Sequence, residues 1–254
     1  MENWAVAMTT APRKNSTLRG SIISLRKAGW DGLLRLFAEP ETPTGPARRG
    51  NGPVELIARQ GSPLGAWGNF ILGLTELHLR EPSADAYLML QDDVIFCQGL
   101  REYLEDQLWP GPNPGVVSLH TPGHLVPASG TGFFRADLGW SAWGAQAFVF
   151  SNRAARSFLA DAQVVNHRLQ GLFDGSRNVD SVVGDWCRRS GHEFYLHSPS
   201  LTQHTGHTST LWPGTGLNGR RSASDFPGNG SVLSSALARH HKQKGPEVPH
   251  AVVL

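Results

Sequence analysis

The chain has 254 residues, 39% hydrophobic and 17% charged, a balance that describes a globular protein long enough to bury a sizeable core. A net charge of +2 excludes the dense basic stripe of a dedicated nucleic-acid binder, and no run of 18 apolar residues offers a transmembrane segment. Cys97 and Cys187, the only cysteines, are too few for a disulfide scaffold and too far apart for a zinc ribbon.

The start Met1-Glu2-Asn3-Trp4 carries no basic leader, so a cytoplasmic location is expected. Trp4-Ala5-Val6-Ala7-Met8-Thr9 reads as a first strand and Thr10-Ala11-Pro12-Arg13 as the loop behind it. A helix should follow, with Ser16 as N-cap, Leu18, Ile22 and Leu25 on one face and Gly29 closing it. Residues 33–38 read as the second strand, ending at Glu39-Pro40, and Val54-Glu55-Leu56-Ile57 as a short strand beyond a Pro- and Gly-rich loop. Ser62-Pro63 is a helix-start signal, a capping hydroxyl followed by Pro at the first helical position. Trp67, Phe70, Ile71, Leu74 and Leu77 then give that helix one apolar face.

The next strand, Tyr87-Leu88-Met89-Leu90, runs into Gln91-Asp92-Asp93 and resumes as Val94-Ile95-Phe96. The β-α-β-α-β order predicts a parallel sheet with a Rossmann-like half, and open α/β sheets take their ligands at the carboxyl ends of the strands. Two adjacent carboxylates at such an end repel and are poorly solvated, so something positive should compensate them. Hard oxygen ligands suit Mg²⁺ or Mn²⁺.

Beyond this point the expected elements are a helix over 100–108, a strand over 116–119 and a Gly/Pro-rich loop over 120–132. A further strand covers 146–150, and Ser151 caps a helix to Leu159. Asp180 is expected to cap the helix that bears Val182, Val183 and Trp186, where the dipole and exposed amides favour its ionised form; it is a candidate base, with Asp185 in reserve. A last strand covers 194–196 and precedes Pro199-Ser200-Leu201-Thr202-Gln203-His204-Thr205-Gly206-His207, a loop dense in groups that bind ions or phosphates. Trp140 and Trp143, set among glycines, suit stacking on a sugar or packing in the core. One domain is expected over 1–230, with 231–254 as a mobile tail. The signatures of α/β-hydrolases, P-loop NTPases, zincins and dinucleotide-binding dehydrogenases do not occur in the sequence.

Taken in order, Thr9-Thr10-Ala11-Pro12-Arg13, Leu90-Gln91-Asp92-Asp93-Val94, the segment 143–151, the Asp180 helix and the 199–206 loop resemble glycosyltransferases of the GT-A fold. The nearest flavour is the N-acetylglucosaminyltransferase IV type, with looser similarity to the lipooligosaccharide galactosyltransferase type. The resemblance implies a GT-A-like α/β domain, a Rossmann-like nucleotide-binding half fused to an acceptor half. It also implies a nucleotide-sugar donor, UDP-linked, and a hydroxyl acceptor such as a glycan, with Mn²⁺ or Mg²⁺ as cofactor. Asp93 and His204 would be the metal ligands and Asp92 a contact to the ribose or donor sugar. Thr9, Glu39, Asn69 and Gln91 would lie along the nucleotide, and Asp180 would be the catalytic carboxylate. Gln91 departs from the usual acidic triplet. Two other functions use the same residues: a metal-dependent phosphoryl-transfer or hydrolase domain, and a non-catalytic nucleotide-sugar or glycan-binding module.

Overall fold

Alternation along one strand shows how the chain fills both faces of its sheet. Tyr87 and Met89 enter one apolar cluster with Phe37, Trp67, Phe70, Ile71, Phe148 and Phe158. Leu88 and Leu90 enter the other with Met8, Ile22, Leu25, Leu36 and Phe96. A strand buried on both faces belongs to a sheet covered by helices on both sides, which is why its sequence reads as a continuous apolar run. A computed structural model describes residues 3–48, 52–170, 179–206, 222–230 and Leu233. His207, the segment after Trp212 as far as 221, and the expected tail apart from Leu233 lie outside the described residues.

Strands β1 (Trp4–Thr10), β2 (Leu34–Ala38), β3 (Val54–Ala58) and β4 (Ala86–Gln91) alternate with helices α1 (Leu18–Lys27), α2 (Gly45–Arg48) and α3 (Gly65–Arg80). After β5 (Val94–Phe96) and α4 (Leu100–Gln107) come β6 (Pro114–Ser118), β7 (Gly132–Arg135) and β8 (Ala147–Ser151). Helices α5 (Asn152–Ala160), α6 (Ala162–Gln170) and α7 (Val179–Ser190) precede β9 (Glu193–Ser198) and β10 (Thr202–His204). The main sheet has eight strands in the order β3-β2-β1-β4-β8-β6-β9-β7, and β10 pairs with β5 in a separate ribbon. The first four are parallel, the Rossmann-like half expected from the sequence, whereas β8 and β7 run antiparallel to their neighbours and make the sheet mixed.

The chain moves outward from β1 to β3, then α3 carries it back across to β4 on the other side of β1. The carboxyl ends of β1 and β4 therefore flank the point where the strand order reverses, the usual position for a ligand crevice. The α3 face follows its pattern: Trp67, Phe70, Ile71, Leu74 and Leu77 are all buried, each side chain contributing about 1.5–3 kcal/mol by leaving water. A Cβ at Gly73 would lie 3.0 Å from the Phe37 ring, so a larger residue there would need the ring to give way by a few tenths of an ångström.

Two helix starts differ from the expectation. Thr17, not Ser16, precedes α1, and it makes no side-chain capping bond. Helix α3 begins at Gly65 rather than at Pro63, and its first amides are bound by a carboxylate from another element: Glu39, just past β2, accepts from Leu64 N at 2.8 Å and from the Gly65 amide. A partner from a strand end thus satisfies the amides that Ser62 was expected to cap. The Ser151 cap forms as expected, its Oγ accepting from Ala154 N at 3.1 Å. Both cysteines are buried and unpaired, and burial pushes the Cys97 thiol up to about 12. No helix among the described residues is long and apolar enough to cross a membrane.

Candidate functional site

A cleft opens at the β1/β4 crossing, lined by Thr9, Thr10 and the loop to Arg13, by Glu39, by Gly65 and Asn69 of α3, and by Gln91 and Asp92. The residues singled out for the nucleotide, Thr9, Glu39, Asn69, Gln91 and Asp92, thus share one wall-to-wall space. Each is held by the elements around it. Thr9 Oγ1 donates to Leu90 O at 3.3 Å, and Asn69 Nδ2 to Phe37 O at 3.0 Å. Arg59, stacked 5.0 Å over the Phe37 ring, donates to Asn69 Oδ1 at 3.3 Å and pairs with Glu76. Glu39 Oε2 is spent on the amides of α3, whereas its Oε1 is buried without a hydrogen-bond partner among the described residues. Burial pushes the Glu39 carboxyl above its usual range, against the pull of the Leu64 and Gly65 amides and of Arg59.

Asp92 and Asp93 form the turn between β4 and β5. Helix α1 fixes that turn from below: Ser21 Oγ donates to Asp92 O at 2.8 Å and accepts from Val94 N at 3.1 Å. The compensating positive charge demanded by the sequence is Arg13, a residue of the loop after β1 that no local signal in the sequence marks as its partner. Its Nη2 lies 2.8 Å from Asp92 Oδ1 and 2.9 Å from Asp93 Oδ2, and Nε donates to Asp92 Oδ1 at 3.0 Å. Thr10 Oγ1 donates to Asp92 Oδ2 at 2.6 Å. Burial works against Asp93, yet the hydrogen bond from His204 and the charge of Arg13 overcome it and hold that carboxyl below its usual range. Asp92 goes the other way, raised by burial and by the Asp93 charge in spite of Arg13. The His204 bond to Asp93 favours ionisation of that carboxyl first, and Asp92 then ionises beside its charge.

The β5–β10 ribbon brings His204 to the pair, with His204 opposite Val94 in register. Its Nε2 lies 3.0 Å from Asp93 Oδ2, and Thr205 N donates to Asp93 O at 2.7 Å. Asp93 Oδ1 and His204 Nδ1 are buried without partners among the described residues. Gly206 lies against both side chains: a Cβ there would stand 2.8 Å from Asp93 Oδ2 and 3.1 Å from His204 Nε2. Among the described residues no three His, Cys, Asp or Glu side chains converge as a ligand set, so Asp93 and His204 are a pair of donors rather than a full cage.

Asp180 belongs to the same edge of the sheet through the backbone. Gln91 N donates to Gln146 O at 2.9 Å, and the preceding residue, Ala145, donates its N–H to Asp180 Oδ1. Asp180 lies in the first turn of α7, which begins at Val179, and that carboxylate oxygen serves the 143–146 loop instead of capping its own helix. Asp185 does not face the cleft. It is buried and paired with Arg188 at 2.9 Å and Arg189 at 2.8 Å. The two tryptophans separate: Trp140 is exposed, and Trp143 packs edge-on against His124 at 5.4 Å. The Trp140 backbone is fixed to α7 by Ser181 Oγ, which donates to Trp140 O at 2.7 Å. The 120–132 loop begins deep in the core, where Thr121 N donates to Ser200 Oγ at 3.0 Å.

No family model and no curated protein matches the sequence. Solved structures similar in chain path include a nucleoside-diphosphate-sugar pyrophosphorylase from Vibrio cholerae RC9, at 7% identity over 79% of this chain and 95% of that one, with a TM-score of 0.45. A nucleotidyl transferase from Methanothermobacter is 13% identical over 78% of this chain and 88% of that one, TM-score 0.47. A CMP:2-keto-3-deoxy-manno-octonic acid synthetase complexed with CTP is 8% identical over 77% and 89%, TM-score 0.41. Similarity at this level assigns no family.

Proposed function

We propose that this protein is a GT-A-like glycosyltransferase that moves a sugar from a nucleotide donor, UDP-linked, to the hydroxyl of a glycan or similar acceptor, with Mn²⁺ or Mg²⁺ as cofactor. One observation carries the reading: the cleft at the β1/β4 crossing gathers Thr9, Glu39, Asn69, Gln91 and Asp92, and the Asp93–His204 pair adjoins Asp92. In this reading Glu39 Oε1, the buried acceptor with no partner, takes a hydrogen bond from the nucleoside, beside Thr9 and Asn69.

Three features support a divalent cation on Asp93 and His204. Asp93 Oδ1 is a buried oxygen without a partner among the described residues. The 3.0 Å between Asp93 Oδ2 and His204 Nε2 is about the separation of neighbouring ligands of a six-coordinate ion at ~2.1 Å. Gly206 leaves open the space beside both atoms. The remaining positions would fall to water and substrate phosphates, the usual arrangement for Mg²⁺. When bound, such a cation neutralises the charge that builds on a leaving diphosphate. Arg13, at the mouth of the same turn, is a second positive group for that diphosphate. The acceptor oxygen attacks the anomeric carbon, the bond from sugar to phosphate breaks, and the nucleoside diphosphate departs with that electron pair. Asp180 takes the acceptor's proton, if the reaction inverts.

The test is a thermal-shift panel of nucleoside diphosphates and their sugars with and without Mn²⁺, followed by an assay for released UDP. A UDP-selective, Mn²⁺-dependent rise in Tm with sugar-dependent UDP release is expected; no response to any nucleotide overturns the reading. Asp180→Asn sharpens it, because the Asn oxygen can still accept from Ala145 N. Donor-induced stabilisation should persist while turnover falls by about 10²–10⁴, the usual share of a general base. Retained turnover returns Asp180 to the role of loop anchor. A non-catalytic nucleotide-sugar-binding role is the second reading, favoured by the Asp180 oxygen already bound to Ala145 and by Gln91 in place of a carboxylate. It predicts donor binding with neither transfer nor hydrolysis.

A further inference from the structure

We propose that Arg13 is the resting counter-ion of the Asp92–Asp93 pair and keeps free divalent cations off Asp93 until a nucleoside diphosphate arrives to take its guanidinium. The inference rests on the cation reading above and concerns what competes with that cation. Asp93 Oδ2, one of the two donor atoms, already accepts from Arg13 Nη2 at 2.9 Å. A dication binding alone would have to break that contact and then sit beside a guanidinium whose side chain is only 12% exposed. Like charges in a poorly solvated site repel strongly, so the two cations exclude one another.

A diphosphate removes the conflict. Arg13 lines the cleft together with Thr10 and Pro12 as well as pairing with the acids, so phosphate oxygens that enter there come to the residue that holds Asp93. Phosphate accepts from the planar fork in the same two-point manner as a carboxylate. Arg13 can therefore exchange Asp93 for phosphate while keeping Asp92, which it holds through Nε at 3.0 Å as well as through Nη2. The exchange frees Asp93 Oδ2 beside His204 Nε2, and cation and nucleotide bind as a pair rather than one after the other.

The experiment is Mn²⁺ titration of the full chain, read from the electron paramagnetic resonance signal of free Mn²⁺, for the wild type, Arg13→Met and Arg13→Lys, each with and without UDP. Without UDP, Arg13→Met should bind Mn²⁺ at least about tenfold more tightly than the wild type, since the occupied ligand is vacated. UDP should strengthen Mn²⁺ binding in the wild type and do so much less in the variant. Arg13→Lys, which keeps the charge but loses the fork, should fall between the two. Equal Mn²⁺ affinity of wild type and both variants without UDP, with UDP still strengthening it in all three, overturns the role of Arg13 and leaves the cation reading standing. No Mn²⁺ binding in any form, UDP present, overturns both. Melting curves guard against misfolding: Mn²⁺ alone should raise the Tm of Arg13→Met more than that of the wild type. Should Arg13→Met not fold, the Arg13→Lys titration decides, and an affinity equal to the wild type's overturns the proposal.

Discussion

Two groups of carboxylates lie at the carboxyl edge of the sheet, buried to the same degree and treated in opposite ways. Glu39 is 5% exposed, Asp92 2% and Asp93 3%. Glu39 receives backbone amides on one oxygen, keeps the other unpartnered, and has Arg59 only as a background charge. The acid pair is neutralised by direct contact, with Arg13 across both carboxylates and His204 against Asp93. A buried acceptor with nothing to accept from is an opening for a neutral donor, whereas a buried pair bridged by a cation is an opening only for something that can replace the cation. In the proposed reading one end of the cleft takes the nucleoside and the other the phosphates and metal.

Asp93→Ala should break this contrast most severely. It removes the carboxylate that joins Arg13 to His204, and loss of one member of a buried ionic cluster costs about 3–5 kcal/mol. Urea denaturation should show that loss, and the Mn²⁺-dependent part of the UDP-induced shift in Tm should vanish. Stability within about 0.5 kcal/mol of the wild type would mean that the pair does not hold the edge together. Gly206→Ala is gentler and more selective. A methyl group 2.8 Å from Asp93 Oδ2 forces a small shift, costing about 1–3 kcal/mol, and fills the space beside the donor atoms. Mn²⁺ affinity should drop roughly tenfold (about 1.4 kcal/mol), with metal-free UDP binding unchanged because Glu39 and Asn69 are untouched. Equal loss of both would merge the two ends into one site.

The sequence revealed the parallel half because its signals are local. Short continuous apolar runs mark β1, β2 and β4, a 3.6-residue period marks the Trp67–Leu77 face of α3, and the strand ends then follow. Strands β5, β7 and β10 have three or four residues each, too few for a pattern to register, and the β5–β10 ribbon is what brings His204 to the acid pair. The Asp93–His204 contact closes 111 residues of chain, and nothing near either residue specifies the other; the chemical density of the 199–206 loop and the family resemblance pointed there. Arg13 was missed for the same reason. The need for a positive charge was legible in Asp92-Asp93, but its source lay on another loop and was assigned to metal. Caps failed where a remote group did the work: Glu39 replaced Ser62 at α3, and the Asp180 oxygen went to Ala145.

Glu39→Gln gives the smallest effect and the finest test of the contrast, because its sign depends on pH. Burial raises the Glu39 carboxyl above its ordinary 4.5, so the unfolded chain releases this proton first as pH rises. Between 4.5 and the raised folded value the native state binds more protons than the unfolded state, and the stability contributed by this group falls with increasing pH. Above the folded value the loss is complete. Gln has no proton to release, and its Oε1 can still accept from Leu64 N. The difference in stability, variant minus wild type, should therefore grow more favourable to Glu39→Gln from acid to neutral pH. Asp93, held low, contributes equally to both proteins and cancels in that difference. UDP affinity should move the opposite way and weaken by roughly tenfold at neutral pH, since an amide presents a donor where the nucleoside needs an acceptor. A constant stability difference across pH would show that Glu39 is as fully compensated as Asp93, and the two ends of the cleft would then be alike.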